Sequence, residues 1–150
     1  MKKRKYLFLA FFFCGGVLIL FAQQNQVIDK LLEEEKATWG KTAYLVLSAA
    51  GIIPEDATED QALEALKQTG WKLKLKGTEE PIQLGAYSFV IMQAFGLKGG
   101  FMYTLTRSPR YASRELGFKG FIRGDSGAYR YLSGEEAVRI LGRVLEWKGA

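Results

Sequence analysis

A degenerate internal repeat is the feature that most constrains the fold of this chain. A short helix-like run that ends in a glycine turn covers residues 42–53 and recurs at residues 111–122. Each copy is followed by a second amphipathic run that ends in Lys-Gly, at residues 82–99 and 132–149. One such unit cannot bury its apolar face alone, so the two must pack together. The repeat therefore predicts a mainly α-helical binding scaffold of two helix–turn–helix units, and it identifies no ligand.

Residues 1–22 have the layout of an export signal. Basic residues from Lys2 to Lys5 precede a 17-residue apolar run, and the chain then turns polar. Cleavage after Ala22 would leave a single helical domain of residues 23–150. Two alternatives stay open. The run is just long enough to be an uncleaved membrane anchor, and Cys14 is a candidate for lipid attachment, although bulky Phe13 before it disfavours this.

Most of the net charge of +5 lies in that N-terminal segment. Without residues 1–22 the charge is near +1, which argues against nucleic-acid binding. The charge that is left is unevenly divided. Residues 23–97 carry 7 basic and 11 acidic side chains, whereas residues 98–150 carry 10 basic and 5 acidic ones. Complementary docking of the two halves is the simpler explanation, and an anion-binding face on the second half is the alternative.

Local patterns predict several helices and one small β-ribbon. The expected helices cover residues 27–36, 42–50, 58–70, 87–97, 110–118 and 133–149. Residues 71–76 alternate apolar side chains with lysine, which indicates a strand whose lysines face solvent and protect its edge. Residues 101–106 have a β-favouring composition and are the obvious partner. The repeat units then span residues 37–99, with an insertion at 54–81, and residues 109–149.

Glycines and hydroxyl side chains mark the expected helix ends. Gly51, Gly70 and Gly120 should each stop a helix. Thr58 with Gln61, and Ser133 with Glu136, have the spacing of a capping box, and Ser108 precedes a first-turn proline.

The inventory of reactive side chains argues against an enzyme. The chain has no histidine, and its only cysteine is Cys14. Residues 23–150 therefore lack an imidazole base, a thiolate nucleophile and nitrogen or sulfur ligands for zinc, and we expect neither a metal nor a cofactor. A serine–lysine plan is formally possible, but Ser108 and Ser133 both lie at expected helix caps, where we expect their hydroxyls to be engaged. A carboxylate pair is the other catalytic plan left. Its candidates are Glu115, Asp125, Glu135 and Glu136, and helix caps, the helix dipole and turn formation explain the last three.

Arginine and tyrosine side chains cluster in the second half of the chain. Together they suit stacking on a sugar ring and pairing with an anionic group. The candidate ligand-binding residues are Arg110, Tyr111, Arg114, Arg123, Tyr129 and Arg130. The alternative is that the tyrosines pack at helix ends with their hydroxyls in water.

The two units resemble the S-layer homology module. That family has an aromatic-alanine start, a Gly-Ile-Ile-like turn and a capped helix. The second unit is the nearer match, with Tyr111-Ala112, Gly120-Phe121-Ile122 and Leu132 to Ala137 in these places. The first unit matches with Trp39 to Ala43, Gly51-Ile52-Ile53 and Ile82 to Ala86.

The resemblance implies a helical fold that binds a cell-wall polymer or peptidoglycan and anchors in the envelope. In the family, the capped-helix motif supplies an arginine for the anionic polymer. Leu84 and Gly134 occupy that place here, so Arg114, Arg123 and Arg130 are the candidate substitutes.

These observations together predict an exported, non-catalytic bacterial module of the periplasm or cell envelope that binds a cell-wall polymer. A periplasmic protein–protein adaptor is the alternative, and a small carboxylate-dependent enzyme is a less favoured third. The expected partner is a cell-wall polymer or an envelope protein, with membrane contact only through an uncleaved N-terminal segment.

Overall fold

Seven α-helices are present in residues 26–149, the part of the chain that the computed structural model describes. They are α1 (26–32), α2 (Trp39–Ala49), α3 (Glu59–Gln68), α4 (Leu84–Ala94), α5 (Phe101–Thr106), α6 (Pro109–Phe118) and α7 (Gly134–Gly149). The predicted mainly α class is confirmed. The predicted export segment and Cys14 lie outside the described residues. None of the helices within 26–149 is both long and apolar enough to cross a membrane.

The core is built around α2 and α4. Every residue of α4 from Leu84 to Met92 is buried, as is every residue of α2 from Trp39 to Leu47. A helix that is apolar on all sides must be enclosed by other elements. Accordingly, α4 packs on α2 and α6, while α2 also packs on α3 and contacts α7. The remaining helices show the one-sided burial of an outer layer.

The same backbone turn ends α2, α4 and α6. A glycine with positive φ follows each helix: Gly51 at 70°, Gly96 at 61° and Gly120 at 78°. In each turn the next N–H donates to a carbonyl five residues back at 2.9 Å, from Ile52 to Leu47, from Leu97 to Met92 and from Phe121 to Leu116. This is the Schellman arrangement, which glycine adopts without a steric cost. The predicted stops at Gly51 and Gly120 are confirmed, and Gly96 is a third copy.

The predicted helix caps have different outcomes. The capping box of Thr58 and Gln61 is confirmed, because both reciprocal hydrogen bonds form, at 3.2 and 2.8 Å. Ser133 accepts the Glu136 N–H at 3.2 Å, but the Glu136 carboxylate turns to Arg130 instead of completing the box. Ser108 occupies the N-cap position of α6 without a side-chain cap.

The predicted β-ribbon is wrong. Residues 101–106 form helix α5, and β pairing within residues 26–149 is limited to two isolated bridges. Tertiary packing overrides the β-favouring composition here, because Tyr103 is buried and its hydroxyl accepts a hydrogen bond from the Gln93 amide of α4 at 2.8 Å. Residues 71–76 do alternate in burial, but they pack their apolar side on the helical core and pair with no strand.

Backbone hydrogen bonds gather the starts of α2, α4 and α7. The segments before these helices lie side by side, and their bonds are all 2.8 to 2.9 Å long. They run from the Ala37 N–H to Leu132, from Ile82 to Ala37, from Leu84 to Arg130 and from Gly85 to Ala128. The two halves of the chain are therefore joined through their helix N-termini, and the candidate site lies at this junction.

Tyr87 links α4 to α7 from within the core. Its side chain is fully buried, and its hydroxyl donates to the Ala137 carbonyl at 2.7 Å. Burial raises the pKa of this phenol far above its ordinary value of 10. The folded protein therefore keeps a proton that the unfolded chain releases above that pH, so stability is lost as the pH rises further.

We expect Tyr87→Phe to alter this alkaline loss of stability. Wild-type protein should lose up to about 1.4 kcal/mol per pH unit above pH 10 through Tyr87. The variant should be about 1 kcal/mol less stable at neutral pH, since it loses one hydrogen bond, but its alkaline slope should be shallower. Urea unfolding between neutral and alkaline pH measures both quantities, and equal slopes would contradict the assignment.

Candidate functional site

Leu84 and Gly134, the two positions predicted to correspond to the motif arginine of S-layer homology modules, are closed to solvent. Leu84 is fully buried in the core. A Cβ at Gly134 would overlap the carbonyl oxygen of Leu31 and lie 2.5 Å from its carbonyl carbon. Neither position can present an arginine to a ligand, so an anionic ligand must be bound by other residues.

Arg130, one of the candidate ligand-binding residues, is engaged within the protein. Its guanidinium binds the Glu136 carboxylate with two nitrogens, one of them at 2.8 Å from Oε2. It also donates to the carbonyl oxygen of Asp125 at 2.7 and 2.9 Å. The hydrogen bond to Glu136 is the main cause that raises the pKa of Arg130. This side chain holds the loop before α7 in place and has few donors left for a ligand.

The other five candidates do not line one common depression. Arg110, Arg114 and Arg123 are exposed, and Tyr111 is half-buried against the core. Arg114 lines an open depression of about 440 Å³ near the turn that follows α6. Tyr129 lines a different depression, together with the neighbouring Ala128.

The depression at Tyr129 is a groove of about 200 Å³, which we call the Tyr129 groove. Its lining residues come from both halves of the chain: Trp39, Leu73, Lys74, Lys76, Pro81, Gln83, Ala86, Pro109, Ala128 and Tyr129. Trp39 and Ala86 are buried and form an apolar floor, whereas the Tyr129 ring is 72 % exposed. Lys74 and Lys76 are also exposed. The groove thus combines an apolar floor, an open aromatic ring and two ammonium groups.

Gly85 makes the shape of this groove attainable. A Cβ at this position would lie 2.8 Å from the Ala128 Cβ and 3.0 Å from the Pro109 carbonyl oxygen. The missing side chain lets the first turn of α4 approach both the start of α6 and the loop before α7. The Gly85 N–H donates to the Ala128 carbonyl at 2.9 Å and holds this approach. The loop that carries Tyr129 is thereby placed beside the helix starts.

Sequence reasoning did not identify the two lysines as site residues, because it placed them on a protected strand edge. The alternation in residues 71–76 was nevertheless the signal that could have found them. In an extended segment with its apolar side on the core, alternate residues must project outward. Lys76 lies 3.8 Å from the Glu80 carboxylate, and among the described residues no ion pair is found for Lys74.

The candidate catalytic carboxylates and the groove lie in different places. The candidate catalytic carboxylates are absent from its lining. Glu136 pairs with Arg130, Glu135 lies 2.6 Å from Arg139, and Asp125 accepts the Gly127 N–H at 2.8 Å. An aromatic ring beside an apolar floor can stack on the apolar face of a sugar, and an ammonium group can neutralise a carboxylate or phosphate on it.

Comparison of the chain with protein-family models, with curated proteins and with solved structures finds no match. The resemblance to the S-layer homology module stays a prediction from residues 39–53, 82–86 and 111–137. The geometry of the Tyr129 groove is therefore what any functional assignment must rest on.

Proposed function

We propose that this protein is an exported, non-catalytic module that binds an anionic cell-wall polymer in the Tyr129 groove. The observation that carries the proposal is the mostly exposed Tyr129 ring, which lines one apolar groove together with Lys74 and Lys76. A polymer of sugar rings that bear carboxylate or phosphate groups offers both complementary features, an apolar ring face and a negative charge.

The position of the groove supports a polymer over a small molecule. It lies between residues 39–86 and residues 109–129, where the starts of α2, α4 and α6 meet. Its volume of about 200 Å³ is below the roughly 300 to 1,000 Å³ of pockets that enclose a small ligand. A groove of this size can contact one sugar unit of a longer chain, and a polymer offers many copies of that unit.

The ligand's charge follows from the residues on the rim. Lysine is a point charge that binds phosphate or carboxylate without demanding the planar geometry that arginine favours. Exposed lysines contribute modestly to affinity and are screened by salt. Polymer binding at this groove should therefore weaken as the ionic strength rises, and the aromatic contribution should persist.

The direct test is co-sedimentation of the purified protein with isolated cell-wall sacculi at low salt. We expect Tyr129→Ala to weaken retention about tenfold, which corresponds to roughly 1.4 kcal/mol of lost stacking. The Lys74→Ala/Lys76→Ala double variant should weaken it to a similar degree and should reduce its salt dependence.

Two variants serve as controls for this test. Lys72→Ala removes an exposed lysine from the same extended segment, but Lys72 lies outside the groove, so retention should be unchanged. Arg114→Ala/Arg123→Ala probes the other depression, which is lined by Arg114 and by Gly124, the residue after Arg123. Retention that survives the groove variants, or that falls equally with Lys72→Ala, would refute binding in the groove. If retention were lost only in the Arg114→Ala/Arg123→Ala variant, the binding site would be assigned to the other depression.

A further inference from the structure

Helices α5 and α6 expose large apolar side chains away from the Tyr129 groove. The exposed fractions are 78 % for Phe101, 67 % for Leu105 and 88 % for Phe118. Single exposed apolar residues are ordinary on protein surfaces, but a contiguous group marks an interaction site. Whether these three are contiguous depends on how α5 lies on α6.

The backbone brings the three side chains to one region. Phe101 and Leu105 are four residues apart on α5, so they share a helix face. A Cβ at Gly100, the residue before α5, would lie 3.0 Å from the Glu115 carboxylate on α6. The beginning of α5 therefore lies beside the last turns of α6, where Phe118 ends that helix. We call Phe101, Leu105 and Phe118 the α5–α6 patch.

The segment that carries this patch is rich in basic side chains. Residues 98–120 contain five basic side chains, Lys98, Arg107, Arg110, Arg114 and Lys119, and one acidic side chain, Glu115. Arg114 and Phe118 line the same depression, and Arg107 lines another together with Leu105. Within residues 26–149 no ion pair is found for any of these five cations. The region thus combines exposed aromatic rings with a single sign of charge.

We propose that the α5–α6 patch docks on the surface of a phospholipid membrane that contains anionic lipids. Aromatic and aliphatic side chains with a basic fringe are the composition of segments that lie in the membrane interface, where rings enter the boundary of the acyl chains and cations meet the headgroups. Protein–protein interfaces are enriched in arginine but depleted in lysine, and the centre of the interface is depleted in charge. Five cations without an ion pair among the described residues, beside one acidic side chain, match the uniformly negative surface of anionic headgroups, and we therefore place the patch on lipid.

This surface is distinct from the Tyr129 groove, since the two share no lining residue. A membrane-docked module would hold its polymer-binding groove at a defined distance from the bilayer. Docking does not depend on the proposed polymer binding, and each can fail without the other.

The test uses the full chain with an environment-sensitive fluorophore on one cysteine at a time. Cys14→Ser removes the native thiol, and Phe118→Cys or Phe101→Cys introduces the labelling site, so each protein keeps one of the two phenylalanines. Ile52→Cys, in the exposed turn after α2, is the control position. Vesicles of phosphatidylcholine alone are compared with vesicles that also contain phosphatidylglycerol. The N-terminal segment is present in every sample and contributes equally.

Labels at residues 118 and 101 should shift to the blue with phosphatidylglycerol vesicles and be quenched by lipids that carry spin labels. The label at residue 52 should not change. The shift should be lost with phosphatidylcholine alone, at high salt and in the Arg114→Glu/Lys119→Glu background. No shift with anionic vesicles, an equal shift with neutral vesicles, or a shift that survives charge reversal would overturn the proposal. A shift that grows with protein concentration without vesicles would assign the patch to protein contacts instead.

Discussion

Gly134→Ala is expected to destabilise the folded protein by about 3 kcal/mol, near the upper end of what inserting one carbon into a packed site costs. The new Cβ would overlap the backbone of Leu31 and lie 3.1 Å from its Cγ. The obstacle is backbone and cannot rotate away as a side chain could. Relief requires separating the end of α1 from the start of α7, which would also break the hydrogen bond of 2.9 Å from the Gly134 N–H to the Glu34 carbonyl.

Gly142→Ala is the matched control because it makes the same substitution in the same helix. A Cβ at Gly142 would meet nothing within 4 Å. Alanine should therefore stabilise the protein by about 0.5 to 1 kcal/mol through its better helix propensity. Urea unfolding of both variants measures the difference. If Gly134→Ala were as stable as wild type, the close approach of α7 to Leu31 would be disproved.

Replacing Lys41 with methionine should cost about 2 to 3 kcal/mol of stability. Lys41 is only 8 % exposed, and its ammonium lies 3.0 Å from Glu34, 3.6 Å from Glu59 and 3.8 Å from Glu79. These carboxylates belong to the segment after α1, to α3 and to the turn before α4. Removing the one central cation leaves three negative charges close together, which is more costly than losing an ordinary ion pair. The expected loss of stability is smaller than for a fully buried ion pair, because Glu79 is largely exposed.

Methionine keeps the apolar stem of Lys41, so the variant isolates the charge. Lys67→Met is the control, since Lys67 pairs at 3.1 Å with Glu64 and both side chains are exposed. This change should alter stability by less than about 0.5 kcal/mol. Equal effects of the two substitutions in urea unfolding would show that the Lys41 cluster does not stabilise the fold.

Alkaline pH provides a second check on the Lys41 cluster. Burial alone would lower the pKa of Lys41, but the hydrogen bond to Glu34 and the charges of Glu59 and Glu34 raise it overall above its ordinary value of 10.5. The stabilisation by the ammonium is therefore fully present below that pH and is lost as the pH rises through the raised pKa. The difference in unfolding free energy between wild type and Lys41→Met should therefore become smaller as the pH rises.

Features that depend on neighbouring residues along the chain were predictable. The glycine turns after α2 and α6, the capping box at Thr58 and the alternating burial of residues 71–76 each follow from the conformational preferences of a few consecutive residues. The α5 segment was not predictable in this way, because its β-favouring composition competes with packing against α4 and α6. Burial of Tyr103 and its contact with Gln93 decided in favour of the helix.

The candidate site likewise has features that the sequence sets and features that tertiary packing sets. The sequence alone determined which residues could serve as binding groups, and Tyr129 was among them, because aromatic and cationic side chains carry that chemistry wherever they lie. Tertiary structure alone decided which of them meet. It turned Arg130 inward to Glu136, separated Arg114 from Tyr129, and brought Lys74 and Lys76 to the groove from a segment more than fifty residues earlier. The physical reason is close packing. Contacts such as those of Gly85 and Gly134 arise between distant backbones, and no local pattern encodes which glycine will lie against which carbonyl.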